Sequence, residues 1–430
     1  MKNQTLLTYI IILLFQGTHC CCENVPFPNE KELTHAVQVP KLHFQERFGL
    51  NLPDETNVVI FLLEAVRRDV IDTINSSYFE PSPPVWQTKY SFTPCSYTVP
   101  ALFSMMTGFY SYGHKPPKSK YFKNASLPSL FKSKGYEMYF VDPGAEWKGQ
   151  VRFLESVGFN VLKSKDLKKK GLVDSTHKRN RWGWEDRTRF YAAKHIVENS
   201  QKPFFMVLQF SNTHGPFFNP EPDRFNEFRT GKSSVGNSKI SRKYLDALDY
   251  TMDVIDQTVK YIEESGLLDN TLIILMSDHG KSFGEHGAKG HGNALYCEQI
   301  RIPLIFRHPI FSKMKEKLEE KNEEITTSTL LDFYPSLSDL FGFKIEKKTL
   351  GRSFFDVDFK PLLHLEAQGS SKFGVIFGNE KWMYFKKTHK LFYMNHDDTN
   401  IKPINIDDEA QDFIDFWIKI RPFENFKSLL

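Results

Sequence analysis

The stretch Leu272 to Phe306, LIILMSDHGKSFGEHGAKGHGNALYCEQIRIPLIF, narrows the folds open to this chain more than any other. An unbroken apolar run, Leu272 to Met276, stops at Ser277-Asp278-His279-Gly280; glycines and histidines follow, and a second apolar run returns at Ile302 to Phe306. Short apolar runs without polar alternation are strands buried on both faces, the mark of an α/β sheet covered by helices. Ligands of such sheets gather beyond the carboxyl ends of the strands. An Asp-His pair there offers one hard oxygen and one borderline nitrogen, a set suited to zinc or manganese. A hydrogen-bonded turn fits the same pair, so its meaning depends on what else reaches that edge.

Two further strands end on polar residues. NVVIFLLEAVRRD is apolar from Val58 to Leu63 and stops at Glu64, a residue that also fits the first turn of a following helix. Phe204 to Phe210 runs into SNTHGPFFNP and brings His214 to a Gly-Pro turn. Between them, Pro100 suits the first turn of a helix over Ala101 to Met106 that Gly108 stops, which puts Thr98 at or beside the N-cap. Simple capping explains a threonine there. A nucleophile whose developing charge is stabilised by the helix N-terminus and a metal explains it too.

Tyr136 to Val141 reads as a further strand, Phe153 to Leu162 as another strand with its lead-in, and Asp186 to Glu198 as a helix. Tyr244 to Ile262 is a periodic helix whose Asp246, Asp249, Asp253 and Asp256 read as a solvated face. Helical segments are expected around Lys313 to Glu320 and over Thr327 to Phe341, alternating strands from Phe373 and a terminal helix over Asp408 to Lys419. The basic run Lys163 to Arg181, followed by Trp182 and Trp184, reads as a solvated loop, with recruitment of an anionic substrate as the alternative. The expected fold is α/β, a large mostly parallel mixed sheet flanked by helices, with a small C-terminal α+β subdomain. The boundaries expected are a signal peptide over 1–22, a lead-in over 23–56, a catalytic domain over 57–350 and the subdomain over 351–430.

The net charge of +4 is too slight to argue for nucleic acid. Lys2, the apolar run Leu6 to Phe15 and the small or polar residues around Cys20 have the layout of a secretory signal peptide, so export is expected. The run falls short of the ~20 apolar residues that span a bilayer. Cys20, Cys21 and Cys22 stand where a lipidated cysteine would, but His19 is a poor residue before such a site, and ordinary cleavage is preferred to a lipid anchor. Cys95 and Cys297 fit either one disulfide or two buried thiols.

In order, NVVIFLLEAVRRD, TVPALFSMMTG, KPFFMVLQFSNTHGPF, YLDALDYTMDVID, GLLDNTLIILMSDHG, GEHGAKGHGNALYCEQIRIPLIF and TLLDFYPSLSDLFG resemble the motifs of the sulfatase branch of the alkaline phosphatase superfamily, from Asn57 through nearly the whole chain. The resemblance implies an alkaline phosphatase-like fold. It places Thr98 where sulfatases carry the cysteine or serine that becomes formylglycine, with Pro100 matching and Ala101 and Leu102 replacing the usual small residue and arginine. Threonine cannot become formylglycine, and Cys95, in CSYTV, lacks the motif's proline and arginine. Threonine here, a single Glu at the first strand and an Asp-His pair look instead like phosphoethanolamine transferases and lipoteichoic acid synthases, and more distantly like nucleotide pyrophosphatases.

That likeness implies one divalent cation, zinc or manganese with calcium also admitted, on Glu64, Thr98, Asp278 and His279. It implies that His214 and His291 contact the ester oxygens or protonate the leaving group, His291 standing in place of a sulfatase lysine, with His286 as a further substrate contact. Ser211-Asn212-Thr213 lacks the aspartate of the pyrophosphatases' second zinc site, so a second metal is not assigned. The implied reaction is attack by Thr98 on a phosphate ester through a phosphothreonine intermediate. The implied substrate is an anionic ester: a phospholipid head group, a glycan or a small phosphodiester. The alternatives are a sulfate-ester hydrolase working without formylglycine and a binding protein on an inactive scaffold. The transferases carry N-terminal membrane helices and this chain only a signal-like segment, so a membrane-embedded donor is not assigned, while action at a membrane surface stays open.

Overall fold

The computed structural model describes residues 27, 40–71, 73–74, 76–79, 83–111, 120–142, 149–231, 239–356, 362–367 and 371–419. The signal-like segment and Cys20 to Cys22 lie outside them. Seven strands form the central sheet. They are β1 (Asn57–Leu63), β2 (Val85–Gln87), β3 (Glu137–Val141), β4 (Asn160–Leu162), β5 (Phe204–Gln209), β6 (Thr271–Ser277) and β7 (Leu304–Arg307). Their order is β2-β7-β6-β1-β5-β3-β4, parallel from β6 through β4 and antiparallel at the β7 and β2 edge. The expected mostly parallel mixed sheet is present.

Alternation within β1 shows why its run is apolar throughout. Val58, Ile60 and Leu62 face one core together with Phe103 and Met106, whereas Val59, Phe61 and Leu63 face another with Tyr244 and Leu248. Every residue of β1 is buried, so no position is left for a polar side chain until the strand ends. On the first side lies helix α1 (Thr98–Thr107), and on the second α2 (Arg187–Asn199) and α3 (Arg242–Glu264). Gly108 takes a left-handed φ of 69° and ends α1, as its position predicts.

Three readings of the sequence need correction. Phe153 to Leu162 is not one strand with its lead-in: Gln150–Val157 is helical, with Phe153, Leu154 and Val157 buried, and only Asn160–Leu162 pairs. Thr327 to Phe341 divides into a short strand, Thr327–Thr329, and helix α4 (Phe333–Leu340). Asp246 is buried rather than solvated, and its carboxylate accepts a hydrogen bond from the Phe228 amide at 3.2 Å. Helical periodicity alone does not reveal that a neighbouring short helix, Glu227–Thr230, supplies this donor.

Strands β8 (Leu362–Glu366), β9 (Lys372–Phe377), β10 (Glu380–Phe385), β11 (Lys390–Asn395) and β12 (Lys402–Ile404) make an antiparallel C-terminal sheet. One face, with Leu363, Ile376 and Met383, joins the main core; the other packs Val375, Trp382 and Leu391 on α5 (Asp408–Lys419). Cys95 and Cys297 are free thiols, so no disulfide joins them.

Candidate active site

Register places the site. In the parallel pair β1 and β6, Leu63 stands opposite Ser277, so Glu64 and Asp278 leave the sheet side by side. On the other flank Leu62 pairs with Gln209, and the segment after β5 turns back at Thr213, whose hydroxyl donates to the Glu64 carbonyl at 2.6 Å. The backbone between β1 and the next helix is strained: Ala65 has φ 57°, a left-handed conformation that non-glycine residues rarely hold away from functional sites. The Ala65 and His279 amides fix Asp278 by donating to its Oδ1 at 3.0 and 2.8 Å. Gly280 is required at its place, because a Cβ there would lie 2.3 Å from the Glu298 carbonyl oxygen.

Thr98 is the first residue of α1, and its hydroxyl donates to the Glu64 carboxylate, 3.2 Å from Oε1 and 3.0 Å from Oε2. It therefore does not cap its own helix; Tyr97 holds the N-cap position with no side-chain cap. His279 Nε2 lies 3.4 Å from Glu64 Oε1 and 3.5 Å from Asp278 Oδ2. His291 stacks on His279 with ring centroids 4.5 Å apart, and His214 meets His291 edge-on at 5.4 Å. Glu64, Thr98, Asp278, His279, His214 and His291 are thus brought together. His286 is not: its ring stacks on Tyr296 at 3.9 Å and its Nδ1 bonds Glu298 at 3.1 Å. The basic run Lys163 to Arg181 exposes Lys165, Lys168 and Lys169, and only its end approaches the site, where Arg181 covers Trp182 and Trp182 packs on His214 at 4.1 Å.

The three histidines share one arrangement. Each turns Nδ1 to a backbone carbonyl: His279 to Gly280 at 2.9 Å, His214 to Gly215 at 2.9 Å and His291 to Ser96 at 3.2 Å. A carbonyl accepts only, so Nδ1 carries the proton and Nε2 is a lone-pair donor, the tautomer of a metal-binding imidazole. Burial holds His214 down to about 4 and His291 down to about 2, and lowers His279, so all three are neutral at pH 7. Burial also pushes Glu64 up to about 7 and Asp278 up to about 7, the latter helped by the charge of Glu64.

These residues fit a divalent cation. Asp278 Oδ2 and His279 Nε2 are both buried without a hydrogen-bond partner and face one another, an arrangement of two lone pairs that a cation would resolve. Ligand atoms of Glu64, His279 and His291 all lie within 4.8 Å of one another, so His291 joins the potential ligands.

Lys281 and Arg67 belong to this site and were missed in the sequence. Arg67 bridges the loops after β1 and β6: it reaches Asp69 at 2.7 Å and Glu285 at 2.6 Å. Lys281 is 5% exposed and interacts with both Glu64 and Asp278. The available signal was a charge within the motifs that carry Glu64 and Asp278.

Residues 56–343 match the family model described as Sulfatase. An N-acetylglucosamine-6-O-sulfatase of Bacteroides thetaiotaomicron is 32% identical over 34% of this chain and 25% of its own length. Phosphoethanolamine transferase EptA of Escherichia coli is 24% identical over 39% of this chain and 34% of its own. The chain thus spans about a third or less of these curated relatives. Among solved structures, lipoteichoic acid synthase LtaP of Listeria monocytogenes superposes with a TM-score of 0.65 at 16% identity, covering 91% of this chain and 95% of that one. A Vibrio parahaemolyticus protein of the alkaline phosphatase superfamily gives 0.63 at 17% identity, covering 97% and 94%. At such identities the likeness is one of fold. With the family match running from the first strand of the sheet to just beyond α4, the chain belongs to the sulfatase family.

Proposed function

We propose that this protein is an exported, metal-dependent hydrolase or transferase acting on phosphate esters, with Thr98 as the nucleophile. The observation that carries the reading is the double contact of Thr98 Oγ1 with Glu64, beside Asp278 and His279, in a residue that cannot become formylglycine. Glu64, Thr98, Asp278 and His279 would hold a divalent cation, with zinc or manganese suited to the nitrogen and oxygen donors. When bound, the cation would acidify the attacking hydroxyl and offset negative charge on the ester.

The chain's own groups account for the proton and charge movements. The Thr98 proton leaves along its hydrogen bond to Glu64, whose carboxylate is the acceptor in contact with that hydroxyl. Oγ1 forms a bond to phosphorus as the bond to the leaving oxygen breaks, and the N-terminus of α1 favours the negative charge there. The product is a phosphothreonine, which keeps the second ester group when the substrate is a diester. Water or a second alcohol then attacks phosphorus, the Thr98–phosphorus bond breaks, and Oγ1 takes back its proton from Glu64. His214 and His291, neutral with Nε2 unprotonated, suit accepting that nucleophile's proton. Protonating the first leaving group would require a charged form that burial disfavours.

EptA is a phosphoethanolamine transferase and LtaP a lipoteichoic acid synthase, which favours a phospholipid head group, glycan or small phosphodiester as substrate. The match to an N-acetylglucosamine-6-O-sulfatase supports a second reading, sulfate-ester hydrolysis without formylglycine. Side-by-side turnover of an aryl sulfate, an aryl phosphate and a diaryl phosphate by the zinc- or manganese-loaded protein separates them. Phosphate-ester turnover that Thr98→Ala abolishes supports the proposal; aryl sulfate as the preferred substrate, or full turnover by Thr98→Ala, refutes it.

A further inference from the structure

We propose that Lys281 is the cationic contact for the non-bridging oxygens of the substrate ester; this rests on the reading of the Glu64 and Thr98 edge as the active site. Lys281 follows Asp278-His279-Gly280 directly, and its backbone is held from behind, where its carbonyl accepts from Arg67 Nη1 at 3.4 Å. Arg67 is itself clamped by Asp69 and Glu285. The ammonium lies 5.5 Å from the centre of the Phe217 ring. Phe217 packs on Tyr244 and Phe283 at 5.5 and 6.0 Å, so an aromatic wall limits where the lysine can turn.

From this position Lys281 addresses the whole site. Its charge acts on Glu64 and Asp278 and on the rings of His214, His279 and His291. Among the described residues no hydrogen bond ties its ammonium to an acceptor, although the side chain is 5% exposed. An ammonium has three donors, and in a residue this little exposed only a narrow access to solvent is left to satisfy them. An anionic ligand entering there would meet donors that no protein acceptor among the described residues has taken. The three histidines cannot take that role, since each spends its Nδ1 proton on a backbone carbonyl and offers only a lone pair to the site. An anionic ester brings oxygens that need both donors and positive charge. Lys281 supplies both. It forms and breaks no covalent bond, so its part is to orient the ester and to stabilise charge growing on those oxygens.

The test uses the full chain loaded with zinc, titrated calorimetrically with inorganic phosphate and assayed with bis(p-nitrophenyl) phosphate. Lys281→Met is expected to weaken phosphate binding roughly 10- to 100-fold, the usual effect of losing a charged hydrogen bond. Zinc content per chain should stay unchanged, and Lys281→Arg should recover most of the loss. Phosphate affinity equal to wild type in Lys281→Met would overturn the proposal. So would a changed zinc affinity with unchanged phosphate binding by the loaded protein, because Lys281 would then only balance the two carboxylates. Should Lys281→Met fail to fold, Lys281→Gln, which keeps donors without the charge, gives the same comparison. Phosphate binding needs no covalent step at Thr98, so failure of the nucleophile assignment leaves this result readable on its own.

Discussion

Glu64 offers a perturbation whose sign depends on pH and metal together. Its carboxyl is 1% exposed and is raised by burial to about 7 against an ordinary value of 4.5. The folded, metal-free protein therefore holds this proton more tightly than the unfolded chain, so the stability contributed by the group is full below pH 4.5 and is lost as pH rises towards about 7. The interval corresponds to roughly 3 kcal/mol for a single group, less whatever the coupling to Asp278 removes. Glu64→Gln keeps the size and, through Oε1, an acceptor for the Thr98 hydroxyl, while removing the ionisation. In chelator-treated protein the variant should match wild type near pH 4.5 and exceed its stability by up to about 3 kcal/mol at pH 8, measured by urea unfolding. Added zinc should reverse the order at pH 8, since only wild type offers the Glu64 carboxylate beside that of Asp278. A metal-free variant less stable than wild type at pH 8 would refute the reasoning, showing that the ionised carboxylate is stabilising there without a cation.

The remaining expectations concern the supports of the site. Gly280→Ala forces a methyl to within 2.3 Å of the Glu298 carbonyl, a backbone atom that cannot swing away. Thermal unfolding should show a loss of roughly 1–3 kcal/mol, and metal uptake should fall with it because Asp278 and His279 shift. Lys381 is 0% exposed and pairs with Asp398, which also accepts from the Cys297 amide just beyond the histidine loop. Asp398→Ala should cost about 3–5 kcal/mol by stranding that lysine, and Lys381→Met on the same background should restore part of it in a double-mutant cycle.

The strands could be read because burial on both faces leaves no alternative to an apolar run. The ends of β1, β5 and β6 stood out as the points where Glu64, His214 and Asp278-His279 interrupt such runs. Thr98 required the resemblance, because a threonine near Pro100 reads as a helix cap until its hydroxyl is seen turned to Glu64. What failed depended on long-range partners. His286 has the composition of a site residue but is captured by Tyr296 and Glu298. Asp246 sits on the right spacing for a solvated face yet serves the short helix at Phe228. Lys281 carries no signal in the sequence beyond its charge, and only burial beside two carboxylates gives it weight.

The assignment of Thr98 as nucleophile is tested most directly by rapid-quench intact-mass analysis. Zinc-loaded protein is mixed with bis(p-nitrophenyl) phosphate, quenched in acid within the first turnover and digested for peptide mapping. A Thr98 nucleophile gives a transient adduct with the mass of one aryl phosphoryl group on the peptide containing Thr98, absent in Thr98→Ala. Turnover with no adduct at any time, or an adduct mapped to another residue, would contradict it.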